Sequence, residues 1–204
     1  MDGVGVAQDA KGGAVVVVGG AVIYLEGVGA WPDGAVGAAV RVQGARVLRR
    51  QLPEATVGDD GAVSQGAAPG SEQEVVLAPE TELLGFAPPW SLRYDDGSHN
   101  VLDVARATVD APVTWSYAPM TPARSSSGVY SGGDPAEGAL PAAAGFALWG
   151  LVQAAEKVAS DGGARPMGTG ELRVTEGGEV RTWRLSMAAD QALRASLASW
   201  RSAP

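Results

Sequence analysis

Cysteine is absent from the 204-residue chain, which excludes disulfides, thiolate metal sites and thiol catalysis. Histidine occurs once, as His99, and lysine twice, as Lys11 and Lys157. A lone imidazole leaves few ways to assemble a general base near neutral pH. Asparagine and isoleucine are each present once, as Asn100 and Ile23. Long hydrophobic runs are missing too. The best membrane candidate, "ALPAAAGFALWGLVQAA" at 139–155, is short, rich in Ala and followed by Glu156 and Lys157, so it reads as a soluble helix and no membrane partner is expected. No basic run with an apolar core follows Met1, so no signal peptide is visible and the expected location is cytoplasmic, although a longer precursor could carry a targeting segment.

What is present reads as a folded acidic protein. Hydrophobic residues make up 46% and charged ones 19%, too apolar for a disordered chain. The 29 glycines and 13 prolines mean dense turns and short elements. The bias to Ala, Gly and Arg is that of a GC-rich bacterial genome. Net charge is −8, which repels nucleic acid and anionic membrane at long range. Residues 1–87 are the more acidic half, with 11 acids against 5 bases.

Local signals give a β-rich first half. In "KGGAVVVVGGAVIYLE", residues 11–26, two β-branched runs flank Gly19-Gly20, a hairpin or sharp bend. In "GAAVRVQGARVLRR", residues 37–50, the apolar parity switches after Gly44, the mark of a β-bulge. Residues 53–74 are a weak polar excursion with a hairpin signal at Asp59-Asp60-Gly61, followed by a strand "VVLAPETELL". "FAPPW", residues 86–90, marks a domain boundary, because consecutive prolines stop both helix and sheet. The domains expected are 7–87 and 88–204. In the second, "WSLRY" and "NVLDV" flank Asp95-Asp96-Gly97-Ser98 as a hairpin, and a strand "VTWSYAP" follows. A helix over 140–160 stops at Asp161-Gly162-Gly163. Strands "ELRVT" and "EVRTWRL" pair across 176–179, and a last helix spans 188–201 with Leu193, Leu197 and Trp200 on one face. The order β, β, β, α, β, β, α predicts an antiparallel sheet with two helices on one side.

The coiled strands of residues 11–26 and 37–50, with "EVVLAPETELL" as a closing strand, give residues 11–85 the character of a small closed barrel; this part resembles an OB-fold. The resemblance implies a scaffold that binds single-stranded nucleic acid, oligosaccharide or protein. A helix between the third and fourth strands is not visible in 53–74. The fold class expected overall is mainly β plus α+β, an OB-like barrel followed by the helix-backed sheet.

Four constellations bear on function. Arg41, Arg46, Arg49 and Arg50 lie on one strand, and Tyr24 and Trp31 could stack bases, the pairing single-strand binders use. A solvated strand edge guarded by Arg, with both rings in the core, is the blander account, and the acidity of this half favours it. The loop "SSSGVYSGGD", residues 125–134, offers Ser125, Ser126, Ser127, Tyr130 and Ser131 beside Arg124 as a ligand or anion contact. It could also hold a nucleophilic serine, were His99 to reach it with Asp96 or Asp103 behind. The blander account is an ordered surface loop. Asp59-Asp60-Gly61 and Asp95-Asp96-Gly97 read as turns. Gly168-Thr169-Gly170 lacks the Lys of a phosphate loop and reads as a turn into a strand.

No base, nucleophile, metal or cofactor set emerges, so the expected function is non-catalytic: a binding or protein-interaction protein whose partner is another protein or a small ligand. A hydrolase using the serine loop with His99, and a single-stranded nucleic-acid binder using the barrel, stand as alternatives. The oligomeric state is open.

Overall fold

Gly19 and Gly20 take positive φ angles of 57° and 84°, and the β-branched runs on either side fold back on each other. These runs are β2 (Gly13–Val18) and β3 (Ala21–Leu25) in a computed structural model that describes residues 1–49, 53–69, 72–160 and 170–201. The chain forms two units, Met1–Ala87 and Pro88–Pro204.

In the first unit, β1 (Asp2–Ala10), β2, β3, β4 (Ala39–Arg49) and β7 (Gln73–Gly85) close a five-stranded barrel in the order β1-β2-β3-β7-β4. β3 and β7 are parallel, and the other neighbouring pairs are antiparallel. β4 returns to lie beside β1, so β4-β1-β2-β3 forms a Greek key. Ala7, Val16, Ile23, Val40, Val42 and Val76 fill the interior. Each of the larger ones contributes on the order of 1.5–3 kcal/mol by leaving water. The space is narrow. Gly3 and Gly5 oppose Val42 and Val40, and a Cβ on Gly5 would stand 2.5 Å from the Val17 carbonyl oxygen. β1 therefore presents glycine and alanine inward and carries no apolar alternation. Sequence periodicity misses it: the barrel begins at Asp2, where no strand was expected.

The bulge foreseen at Gly44 is present. The β4–β7 register shifts between Gln43 and Ala45, and Gly44 sits at φ 153°. The polar stretch after β4 is a hairpin, β5 (Pro53–Val57) and β6 (Val63–Pro69), turning through Asp59, Asp60 and Gly61. Its Ala55, Val57 and Val63 pack on Val15, Val22, Tyr24 and Val75, the outward-facing neighbours of the interior residues. The unit thus has two apolar layers, one inside the barrel and one between its outer wall and the hairpin. The β3–β4 link carries Trp31, which is buried and donates from Nε1 to the Val15 carbonyl at 2.9 Å.

The second unit is a six-stranded antiparallel sheet with two helices. Its order is β11 (Ala136–Leu140), β10 (Val113–Ala118), β9 (Val101–Arg106), β8 (Trp90–Asp95), β12 (Glu171–Glu176) and β13 (Glu179–Arg184). Burial alternates along β8, β9, β10 and β12, so one face is covered. Trp90, Leu92, Tyr94, Leu102, Val104, Trp115, Leu172 and Val174 form that face, and α1 (Ala143–Ser160) and α2 (Met187–Arg201) bury Leu148, Trp149, Val152 and Leu193. Ser186 caps α2 by accepting from the Ala189 amide at 3.2 Å.

The expected order of elements is corrected at one place. β11 precedes α1, so four strands come before the first helix. Gly138 of β11 lies against the Trp115 indole, where a Cβ would stand 2.8 Å from Nε1, and the strand again lacks apolar alternation. The expected helix stop at Asp161-Gly162-Gly163, and Gly168 and Thr169, fall outside the described residues, as do the side chains of Leu197 and Trp200.

A Cβ at Gly44 would meet Val76 Cγ1 at 2.5 Å and the Leu77 carbonyl at 2.8 Å. Gly44→Ala is expected to destabilise the barrel by about 2 kcal/mol, from backbone strain and overpacking together. Urea denaturation followed by amide signals of the first unit measures this.

Candidate functional site

The β8–β9 turn is built by its own carboxylates. Asp95 Oδ1 accepts from the Gly97 amide at 3.1 Å, and Gly97 and His99 both take positive φ. Asp96 is buried at 8% exposure and receives four donors. Its Oδ1 accepts from the amides of Ser98 at 2.9 Å and Asn100 at 3.0 Å. Its Oδ2 accepts from Asn100 Nδ2 at 2.8 Å and Arg194 Nη1 at 3.3 Å. Burying a carboxylate this far from water costs free energy that these donors offset.

Arg194 carries the network into α2. Nε donates to Asp190 Oδ2 at 2.7 Å, four residues earlier on the same helix, while Nη2 donates to the Asp96 carbonyl at 2.6 Å. Asp190 Oδ1 accepts from the Tyr94 hydroxyl at 2.6 Å and the Gly170 amide at 2.9 Å. Burial, then the hydrogen bond to the Asp190 carboxylate, hold the Tyr94 phenol well above its ordinary value, so it stays a donor.

Asn100, the chain's single asparagine, ties this network to the long loop between β10 and β11. It is buried, and its Oδ1 accepts from the Met120 amide at 2.8 Å while Nδ2 donates to Asp96 and to the Tyr130 hydroxyl at 2.9 Å. Gly132 packs so closely that a Cβ there would lie 1.8 Å from Asn100 Oδ1. The Gly132 amide donates to the Met120 carbonyl at 2.9 Å, and the Tyr117 hydroxyl donates to the Gly132 carbonyl at 3.0 Å. Both ends of the loop are therefore fixed to the sheet. Between them, Val129 is 81% exposed and Tyr130 is 41% exposed.

The loop residues singled out from sequence are together, and the hydroxyls of Ser125, Ser127 and Ser131 bond within the loop. Ser125 Oγ and Ser127 Oγ are 2.9 Å apart, and Ser127 Oγ accepts from the amides of Val129 and Tyr130. Ser131 Oγ accepts from the Gly133 amide at 3.2 Å, and the amides of Arg124 and Ser125 donate to the Thr121 carbonyl. The amides of Arg124, Ser125, Ser127, Val129 and Tyr130 are thus engaged within the loop. Arg124 and Ser126 are exposed. His99 is on the surface with Nδ1 3.4 Å from Asp95, and Asp103 pairs with Arg93. Among the described residues His99 has no hydrogen bond to Ser125, Ser126, Ser127 or Ser131, so the contact a Ser–His–Asp arrangement requires is not formed.

The barrel residues are dispersed by their chemistry. Tyr24 lies under the β5–β6 hairpin and Trp31 is buried, so neither ring is an open stacking platform. Arg41 grips Asp2 at 2.9 Å, Arg46 pairs with Glu74, and Arg49 meets Glu26 at 2.6 Å. Hydrogen bonds from Arg41 and Gln43 lower Asp2 to about 2. Arg50 lies outside the described residues. Among the described residues no three His, Asp or Glu side chains converge as a metal set, and no helix is long and apolar enough to cross a membrane.

Sequence reasoning missed Tyr94, Asp96, Asn100, Asp190, Arg194 and Gly132 as a group. The available signals were the uniqueness of Asn100 and the Asp190–Arg194 helical spacing. Comparison with known proteins adds no further assignment: no family model, no curated protein and no solved structure matches the chain.

Replacing Asn100 by Ala removes a buried partner from Met120, Asp96 and Tyr130 at once. Asn100→Ala is expected to cost the second unit about 3 kcal/mol and to raise hydrogen exchange at Met120 and Gly132. Tyr94 gives a pH test. Its folded-state value is raised, so its contribution is complete below the ordinary phenol value of about 10 and is lost as pH climbs beyond it. Melting temperature against pH should therefore fall more steeply above about 10 in the native chain than in Tyr94→Phe, which has no phenol to ionise there.

Proposed function

We propose that this chain is a non-catalytic interaction protein and that the loop over 119–135 of its second unit is the recognition element. The observation that carries this reading is Val129. It is the most exposed of the large hydrophobic side chains among the described residues, and it stands on a loop held by one buried and two partly buried hydrogen bonds. Isolated exposed apolar residues are ordinary on a surface. One displayed on a fixed loop is different, because the ordering cost of binding has been met in advance. Loops of this length in compact units are uncommon outside functional roles.

The chemistry of the loop indicates its partner. Arg124 and Asp134 are the charged side chains of the loop, with Arg124 the one charge before its exposed apolar groups Val129 and Tyr130. A protein surface with an apolar depression rimmed by a carboxylate fits this display. The engagement of the serine hydroxyls and backbone amides within the loop favours such a surface over a free anion. The five-stranded Greek-key barrel supports the OB-like resemblance for the first unit. The burial of Tyr24 and Trp31, together with the acid partner of each described arginine, argues against single-stranded nucleic acid as its ligand.

A photo-cross-linking amino acid placed at Val129 tests the reading in cells. A discrete adduct is expected there and absent with the probe at Val36, an exposed apolar position in the other unit. Val129→Asp should abolish the complex with the melting temperature unchanged. Equal labelling at both positions, or none at Val129, would sink the reading.

A further inference from the structure

Beside the Asp96–Arg194 pair, the covered face of the second unit contains a pocket of about 190 Å³. Tyr94, Leu102, Tyr117 and Ala198 wall it, and Asp96, Asn100 and Arg194 supply its polar groups. We propose that this pocket binds a small neutral molecule bearing a carbonyl-type hydrogen-bond acceptor, of which an amide is the simplest.

The unfilled hydrogen-bonding capacity selects the class. A carboxylate has roughly four acceptor sites, and Asp96 already receives the Ser98 amide, the Asn100 amide, Asn100 Nδ2 and Arg194 Nη1. A donor on a ligand finds no open position there. Both N–H groups of Asn100 Nδ2 are taken, while its Oδ1 holds the Met120 amide and keeps one acceptor site, as does the oxygen of the Tyr94 hydroxyl, which donates to Asp190. Arg194 holds the open donors. Nε and one N–H of each Nη bond to Asp190 and Asp96. The second N–H of each Nη has no acceptor among the described residues. The open donors are those of Arg194 and the open acceptors lie on Asn100 Oδ1 and the Tyr94 oxygen, and an amide carries the complement of both.

Charge narrows the choice. Asp96 and Asp190 flank one guanidinium, and the Tyr94 phenol remains neutral, so the surroundings are net negative before any ligand enters. An anionic acceptor adds a like charge in a partly buried position, and a neutral one does not. Size sets the scale: about 190 Å³ is roughly six water volumes, room for a molecule of a few heavy atoms. The aliphatic and aromatic walls suit the apolar side of such a molecule. Asn100 and Tyr117 also fix the loop at Tyr130, Met120 and Gly132, so an occupant touches the side chains that hold the recognition element.

Acetamide and acetate, nearly identical in shape, separate the acceptor argument from the charge argument. Titrated into the full chain, acetamide should give saturable amide shifts at Asp96, Asn100, Leu102 and Arg194. Acetate should bind about tenfold more weakly or not at all. Ala198→Leu, a change at an exposed helical position on the pocket wall, should abolish the acetamide shifts at an unchanged melting temperature. Acetate binding as tightly as acetamide, tetramethylammonium binding in place of both, or acetamide shifts that persist in Ala198→Leu would each overturn the proposal. Loss of the Val129 adduct described above leaves this result untouched, because the pocket and the loop tip are read separately.

Discussion

Burying a carboxylate at the end of a β-hairpin creates a demand for donors, and the second unit is organised around how that demand is met. Asp96 draws its donors from its own turn, from Asn100 and from α2 through Arg194. Each source fixes something else in turn. Asn100 holds a long loop at Met120 and at Tyr130, and Arg194 bonds to Asp190, which also receives Tyr94 and Gly170. Removing one member leaves the others buried and incompletely paired, which is why such networks act as a whole.

The first unit answers to a different constraint, the narrowness of a barrel with five strands. Side chains inside must be few and mostly small, so one wall is lined by Gly3, Gly5 and Ala7. The apolar surface that the interior has no room for appears on the outer wall instead. Val15, Val22, Tyr24 and Val75 require a cover, and the β5–β6 hairpin supplies it. The arginines of β4 remain at the surface, each matched to an acid on a neighbouring segment. A row of basic residues in the sequence thereby becomes a set of local ion pairs, worth little individually in stability but sufficient to neutralise the stripe.

Legibility followed physical type. Turns made by glycine pairs and by Asp-Gly sequences could be read because φ is a local property: Gly19-Gly20, Asp59-Asp60-Gly61 and the β8–β9 turn all fall where expected. The bulge at Gly44 was visible as a change of parity. β1 and β11 were hidden because a neighbour's bulk replaces their own: Val16 and Val17 crowd Gly5, and Trp115 crowds Gly138. Strand patterns are read from large inward residues, and these strands have none. The polar network was hidden for another reason. Asp96, Asn100 and Asp190 are ordinary turn and helix-start residues, and their joint burial depends on contacts across about a hundred positions of chain, such as Arg194 with Asp96 at a separation of 98. The serine loop stood out for its composition, and the hydroxyls of Ser125, Ser127 and Ser131 bond within it.

The pairing of β1 with β4 bears on how the barrel is made. Asp2 and Gln43 are 41 residues apart, and the barrel stays open until they meet. During synthesis β1 emerges first and finds only β2 beside it, so its second neighbour arrives after the whole of β3 and the Trp31 link have been made. A strand with glycines at Gly3 and Gly5 has little apolar surface with which to hold its place in the meantime. Closure therefore carries the entropy of a long loop, and formation of the barrel should lie toward the slow end for a unit of this size. β1 is thus paired on one side only, with β2, until β4 has been made.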